Sequence, residues 1–380
     1  MRISLMKTLP QHLNKRYLTI FGILACLLCV LLILILRVIL TGMMPKDFFQ
    51  PTLPATIRGV RVLTYDNHYY QNPSWSPDGQ TIAVMQNSIN LGFNSIEPSE
   101  LGWEVVLINV NSGQQKKIKL DNKNVIPYAK PSWSPDNEFL SLDIREVDTQ
   151  AYKNIFYSVR NNTWKELDPK EHSTTIWLAD GNVLRRFYTG RRTVNDELIM
   201  GLVKVNPKTG EVLAKNLNLK MSYDLSYNST ILSNGQLLVK WGDDAVSPSG
   251  QIVLFTVGVG ADCTGIWKYD WGAEKPEPFI DSLDKNECDP AFSFNGSKII
   301  YTERNPGNGK TSIVIANANG SSPKSWTLPY YDEKIRYPVW SPNGKQIAFI
   351  YGRSEGDGAN RTSFVVIADV PPELQAGSIP

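Results

Sequence analysis

The feature that most limits what this chain can fold into is an internal repeat. The run Pro73-Ser74-Trp75-Ser76-Pro77-Asp78-Gly79-Gln80-Thr81-Ile82-Ala83-Val84 returns as Pro131-Ser132-Trp133-Ser134-Pro135-Asp136-Asn137-Glu138-Phe139-Leu140. It returns again from Pro290 to Ile300 and from Pro338 to Phe349. Two weaker copies, Trp177 to Leu184 and Ile231 to Leu238, bring the total to six. The opening residues at 75, 133, 177, 231, 292 and 340 are separated by 58, 44, 54, 61 and 48 residues. Such spacings are those of propeller blades. Each copy reads as a strand ending on a large apolar residue, a tight turn, and an alternating strand. Pro sets φ in that turn, Asp or Asn caps it, and Gly takes the positive φ. The Ser-Pro-Asp-Gly run is therefore a hairpin device before it is a ligand site.

A short apolar strand keeps phase with the repeat: Leu63, Leu120, Leu219, Ile280 and Leu328 each lie 12 or 13 positions before an opener. Insertions therefore fall elsewhere in the blade, the longest early one from Asn87 to Gly102. A passable extra copy, Val246 to Val253, begins only 15 residues after Ile231. That is too close for a blade, so one of the two is a hairpin within the other's blade. The last copy has no clear fourth strand, and Ile57 to Thr64 is free to supply it. Closing the ring in this way removes the open sheet edges that invite aggregation. The expected fold is an all-β, six-bladed β-propeller over residues 56–370, preceded by one N-terminal transmembrane helix and followed by a short tail at 371–380.

The anchor is read from Tyr17 to Leu36, twenty consecutive uncharged residues, enough for a helix to span a bilayer's hydrocarbon core. Arg2, Lys7, Lys15 and Arg16 precede it, whereas Arg37 and Lys46 follow with Asp47 in partial offset. Cationic flanks stay cytoplasmic, which places residues 1–16 inside, an anchor at 17–40, a linker at 41–55 and the propeller outside the cytoplasmic membrane. A cleaved secretory signal is the competing reading, and Ile23-Leu24-Ala25-Cys26 resembles a lipoprotein cleavage box. The apolar run continues ten residues beyond Cys26, longer than a cleaved signal requires.

Two of the four cysteines, Cys26 and Cys29, lie in that run, leaving Cys263 and Cys288 in the β domain. In an oxidising compartment this pair would form a disulfide; two unrelated buried thiols remain the alternative. The formal net charge of +2 and pI of 8.2 argue against a nucleic-acid-wrapping domain.

The repeats resemble those of TolB-type β-propellers, whose signature is a Trp-Ser-Pro-Asp-Gly turn followed by an Ile-Ala-Phe strand. The resemblance implies fold and says little about function, since such propellers serve as interaction platforms and as parts of enzymes. The family's namesake is similar in its propeller but carries an α/β domain before it, where this chain has only residues 41–55. The order of anchor then propeller is also similar to membrane-bound prolyl peptidases, which add a hydrolase domain after the propeller.

No constellation of catalytic residues emerges. Gly352-Arg353-Ser354-Glu355-Gly356 matches the nucleophile-elbow spacing, but that motif requires a strand-turn-helix context and a downstream His, and none follows. Gly307-Asn308-Gly309-Lys310-Thr311 is similar to a phosphate loop, yet Arg304 stands where its first Gly belongs. The three histidines, His12, His68 and His172, are scattered, with no zinc spacing, and no short acidic motif announces calcium. No cofactor or metal is expected. The most uneven charge is Arg185-Arg186-Phe187-Tyr188-Thr189-Gly190-Arg191-Arg192. It reads as a solvated hairpin tip or as a grip for an acidic partner, a glycan or lipid headgroups through Arg185, Arg186, Arg191 and Arg192. Five glycosylation sequons, at Asn161, Asn228, Asn295, Asn319 and Asn360, matter only in a host that uses them. The expected function is non-catalytic binding of a protein or glycan; the alternative is a hydrolase or lyase acting on polysaccharide or peptide at the channel mouth.

Overall fold

Six antiparallel sheets follow one another along the chain in the computed structural model, which describes residues 59–377 apart from 67, 88–102, 120–124, 150, 168–172, 193–197, 222–237, 240–244, 260–261, 274–275, 283, 328–332 and 356–359. The apolar run at 17–36 lies outside the described residues; among those described, no helix is long and apolar enough to cross a membrane. Blade one runs Tyr69–Trp75, Thr81–Asn87, Trp103–Asn109 and Gln115–Lys117. Blade two comprises Val125–Pro127 with Ser132–Trp133, then Phe139–Glu146, Tyr152–Ser158 and Thr163–Glu166. Blade three is Ser173–Trp177, Val183–Arg192, Leu198–Val205 and Val212–Met221. Blade four is Leu238–Val239 with Ala245–Val246, then Ile252–Val259, Asp262–Asp270 and Glu277–Ile280. Blade five is Asn286–Phe292, Lys298–Arg304, Thr311–Asn317 and Lys324–Thr327.

Blade six is closed by the other end of the chain, as its sequence pattern anticipates. Glu333–Trp340, Gln346–Glu355 and Asn360–Asp369 are completed by Arg61–Val62, which pairs with Val366 and Ile367. Leu63 N extends the closure by donating to Val365 O at 2.8 Å.

The repeat turn folds for the reasons its residues suggest. Ser76 Oγ accepts Thr81 N at 2.9 Å and donates to Asp78 Oδ1 at 2.6 Å, and that oxygen also accepts Gln80 N at 2.9 Å. Gly79 takes φ +71° to reverse the chain. The same cap recurs at Ser134 with Asp136, Ser293 with Asn295, and Ser341 with Asn343. In blade four the turn is Ser247-Pro248-Ser249-Gly250, with Ile252 N bonded to Ser247 Oγ at 2.9 Å. The fourth repeat therefore opens at Val246 rather than Ile231, which lies outside the described residues. Leu238–Val239 pairs with Val257 and Gly258 and so belongs to the first strand, not the second.

Apolar cores lie between neighbouring blades rather than at the centre of the ring. Blades one and two share Ala83, Val105, Leu107, Trp133, Leu140, Leu142 and Tyr157. Blades three and four share Leu184, Met200, Leu202, Val253, Phe255 and Tyr269. Second strands are covered on both faces, so Ile82 to Asn87 is a continuous buried run instead of an alternating one. Blades one, five and six kink the innermost strand at Asn72, Asp289 and Tyr337, each at φ near +55° directly before a proline. Asn and Asp tolerate that region; Tyr does not without compensation. Arg336 stacks its guanidinium over the Tyr337 ring at 4.7 Å, and the Tyr337 N–H is held by Asp289.

Candidate functional site

The two ends of the ring differ. Connections from first to second strands, at 76–80, 134–138, 178–182, 247–251, 293–297 and 341–345, all have five residues. They touch round the ring: Gly79 faces Pro342, Asn137 Nδ2 donates to Asp78 Oδ2 at 2.7 Å, Gly250 faces Leu178 and Gly296 faces Pro248. Asn295 and Ser297 also bond Ala376 O, while Ala376 N donates to Gly344 O at 3.2 Å, so residues after the last strand bind blade five to blade six. At the opposite end, second-to-third connections range from two residues, 260–261, to fifteen, 88–102. Blade-to-blade connections at that end range from five, 281–285, to sixteen, 222–237. A rigid frame with unequal loops at one end is how recognition surfaces are commonly built.

One polar network gathers where residues 63–68 lead from blade six into blade one. Asp66 Oδ2 lies 3.1 Å from His68 Nδ1 and accepts Gln115 Nε2 at 3.2 Å, while Tyr70 donates its hydroxyl to Asp66 Oδ1 at 2.8 Å. Gln86 Nε2 sits 2.8 Å from His68 Nδ1 and donates to the Tyr70 hydroxyl at 2.9 Å. Burial works against the Asp66 carboxylate, but hydrogen bonds from His68 and Tyr70 outweigh it and hold the group below its usual range. Burial, then the Asp66 charge, pushes the Tyr70 phenol well above the ordinary tyrosine value, so it stays a donor. His68 Nδ1 is thus engaged from two sides within a half-buried ring. The sequence signal is the close spacing of Asp66, His68 and Tyr70 just before and within the first strand of blade one. By sequence alone His68 is only one of three scattered histidines, not grouped with Asp66 and Tyr70.

Other buried carboxylates join blades. Asp143 Oδ2 in blade two accepts Thr175 N of blade three at 2.9 Å, with Asn154 Nδ2 on its other oxygen. Burial drives the Asp143 carboxyl up to about 7, only partly opposed by Thr175, Asn154 and Arg185. Asp289 is buried too, yet the Arg336 charge and its hydrogen bonds overcome burial and depress it. Ser363 Oγ closes the last seam, accepting Tyr70 N at 2.6 Å. Glu287 lies fully buried opposite Glu303, and burial raises its carboxyl.

The arginine run is not a hairpin tip. Its residues occupy a single strand, Val183–Arg192, in the interior of blade three. Arg185 is half-buried and reaches Asn154 Oδ1 of blade two at 3.3 Å, whereas Arg186 is 2% exposed. Arg191 is exposed and donates to Leu217 O and to Asn218 Oδ1, the latter at 3.0 Å. Arg192 pairs through its backbone with Leu198. Arg185 and Arg186 do not converge, because neighbouring residues of a strand face opposite sides, and Arg191 turns to the outer strand of the blade instead. Cys263 of blade four is bonded to Cys288 of blade five, with Cα atoms 5.6 Å apart. Ser354 lies in a strand opposite Arg361, and Gly307 to Lys310 form a hairpin loop held by Asn305 Oδ1. His12 and His172 lie outside the described residues; among those described, no group of three or more His, Cys, Asp or Glu side chains could hold a metal ion.

No family model matches the sequence, and no curated protein matches it. Solved structures do. A TolB-assigned protein from Agrobacterium tumefaciens aligns over 82% of this chain and 94% of its own, at 13% identity and a TM-score of 0.50. TolB from Acinetobacter baumannii aligns over 88% and 68%, at 15% identity and a TM-score of 0.46. An oligogalacturonate lyase from Vibrio parahaemolyticus aligns over 83% and 94%, at 12% identity and a TM-score of 0.49. At such identities the likeness concerns fold. Six four-stranded blades, the Ser-capped turn and the match to the Agrobacterium protein together show a six-bladed β-propeller whose fold is similar to that of TolB-type structures.

Proposed function

We propose that the chain is a binding platform, tethered outside the cytoplasmic membrane by the apolar run at 17–36, that holds a protein or glycan on the loop-bearing end without chemistry. The observation that carries this reading is the contrast between the ends: connections of four to six residues at one, the six first-to-second turns all of five, and connections of two to sixteen residues at the other. The bond between Cys263 and Cys288 supports an oxidising compartment, where such links persist. Inter-blade clasps at Asp143, Asp289 and Ser363 supply a stiff frame, which lowers the cost of ordering a recognition surface.

A hydrolase or lyase reading has one observation in its favour. His68, with its Nδ1 3.1 Å from the Asp66 carboxylate, has a histidine–carboxylate pairing of the kind that orients a general base. Replacing residues 88–102 by a two-residue turn like that at 260–261 tests the platform. Loss of partner recovery from native membranes with unchanged thermal unfolding supports it. Unchanged recovery, or turnover of glycan or peptide that disappears in His68→Ala, contradicts it.

A further inference from the structure

Blade three has an outer strand unlike the others. Val212–Met221 runs ten residues, whereas the outer strands of the remaining blades have two, three, four, four and four. It pairs on its inner side with Leu198–Val205, and among the described residues no strand pairs with its outer side. This edge, roughly 33 Å long at 3.3 Å per residue, offers backbone donors and acceptors that no strand among the described residues pairs, interrupted at Leu217 O, which takes Arg191, and at Asn218 N, which takes Asn216 Oδ1. Val212 and Leu213 are 53% and 44% exposed at its start. The strand is firmly held from behind. Asn216 Nδ2 donates to Tyr269 OH of blade four at 2.7 Å, and Arg191 reaches round to Leu217 O and Asn218.

Charge selects the occupant. The strand carries Lys215 and Lys220 and no carboxylate, and Arg191 adds a further exposed cation beside it. Two copies pairing edge to edge would join two strands that carry lysines and no acid, which like-charge repulsion disfavours. We infer that the Val212–Met221 edge of blade three is a β-augmentation site that takes an extended acidic segment of a partner protein as a fifth strand. Main-chain hydrogen bonds would give affinity, Val212 and Leu213 an apolar contact, and Lys215 and Arg191 the preference for carboxylates. This surface is the outer strand of blade three and not its loops, so it stands if the reading of the loop-bearing end fails.

The probe is a capped nine-residue peptide alternating glutamate and valine, added to the full chain in detergent micelles and followed by hydrogen exchange of the amides at 212–221. Exchange at alternate amides should slow about tenfold or more at saturation. Peptides N-methylated at odd or at even positions should differ, one phase binding and the other not, because only alternate amides face the protein. Lys215→Glu should weaken binding about fivefold or more with thermal unfolding unchanged. No protection at millimolar peptide overturns the inference, as does equal binding of the two N-methylated phases. Protection that grows with protein concentration in the absence of peptide also overturns it, by assigning the edge to a second copy.

Discussion

Asp289 in blade five accepts Arg336 Nε of blade six at 2.6 Å and Arg336 Nη2 at 2.9 Å, and with the same carboxylate takes the N–H of Tyr337 at 3.1 Å. One buried acid thereby neutralises a cation, ties two blades together and holds the kinked strand at Tyr337. Asp289→Ala would leave the guanidinium without its anion and the amide without its acceptor. Denaturant unfolding should show a loss of about 3 kcal/mol or more. The folded carboxyl is depressed, so its contribution is present above the unfolded aspartate value and is lost as pH falls through the lower folded value.

Asp143 has the opposite sign. Its carboxyl is raised to about 7 in the fold, so between the unfolded aspartate range and that value the folded state binds more protons than the unfolded one. Stability should therefore fall as pH rises from about 5 to about 7, with a slope of up to about 1.4 kcal/mol per pH unit. Glu287, also raised by burial, adds to the same trend. Thermal midpoints measured across this range should decline in the natural chain and flatten in Asp143→Asn.

Cys263 and Cys288 are 25 residues apart and staple the third strand of blade four to the first strand of blade five. On the loop-entropy account, Cys263→Ser with Cys288→Ser should cost about 3 kcal/mol. Reductant should shift the natural chain by a similar amount and leave the double variant unmoved, as read by calorimetry.

Leu63 is buried beside the closing strand and its N–H extends the pairing to Val365. Leu63→Ala should cost about 2 to 5 kcal/mol through the cavity it leaves. Hydrogen exchange should locate the weakening at Asn360–Asp369 before other blades, since that strand loses its outer neighbour.

Much of the ring was legible because its signals are local. Trp75, Ser76, Asp78 and Gly79 each have one job within a five-residue turn, and the turn recurs in phase. Closure by residues 61–62 followed from a missing strand at one end and a spare one at the other. Blade four was misphased because two Ser- and Gly-containing hairpins lay 15 residues apart, and local turn chemistry does not say which pairs with the second strand. The arginine run was placed at a tip because its charge is dense. Strand Val183–Arg192 is twice as long as an ordinary edge strand and buries Arg186 between blades, a tertiary outcome that charge counting misses. The Asp66 network draws Gln86 and Gln115 from distant strands, so no window of sequence contains it.

The central claim is that partners meet the unequal loops and not the ring of tight turns. Photo-crosslinking residues placed singly within 88–102 and within the exposed turns at 76–80 and 134–138 test it most directly in native membranes. The account predicts one specific adduct from the 88–102 positions and none from the turns. Adducts from the turns alone would place the partner on the opposite end and contradict it.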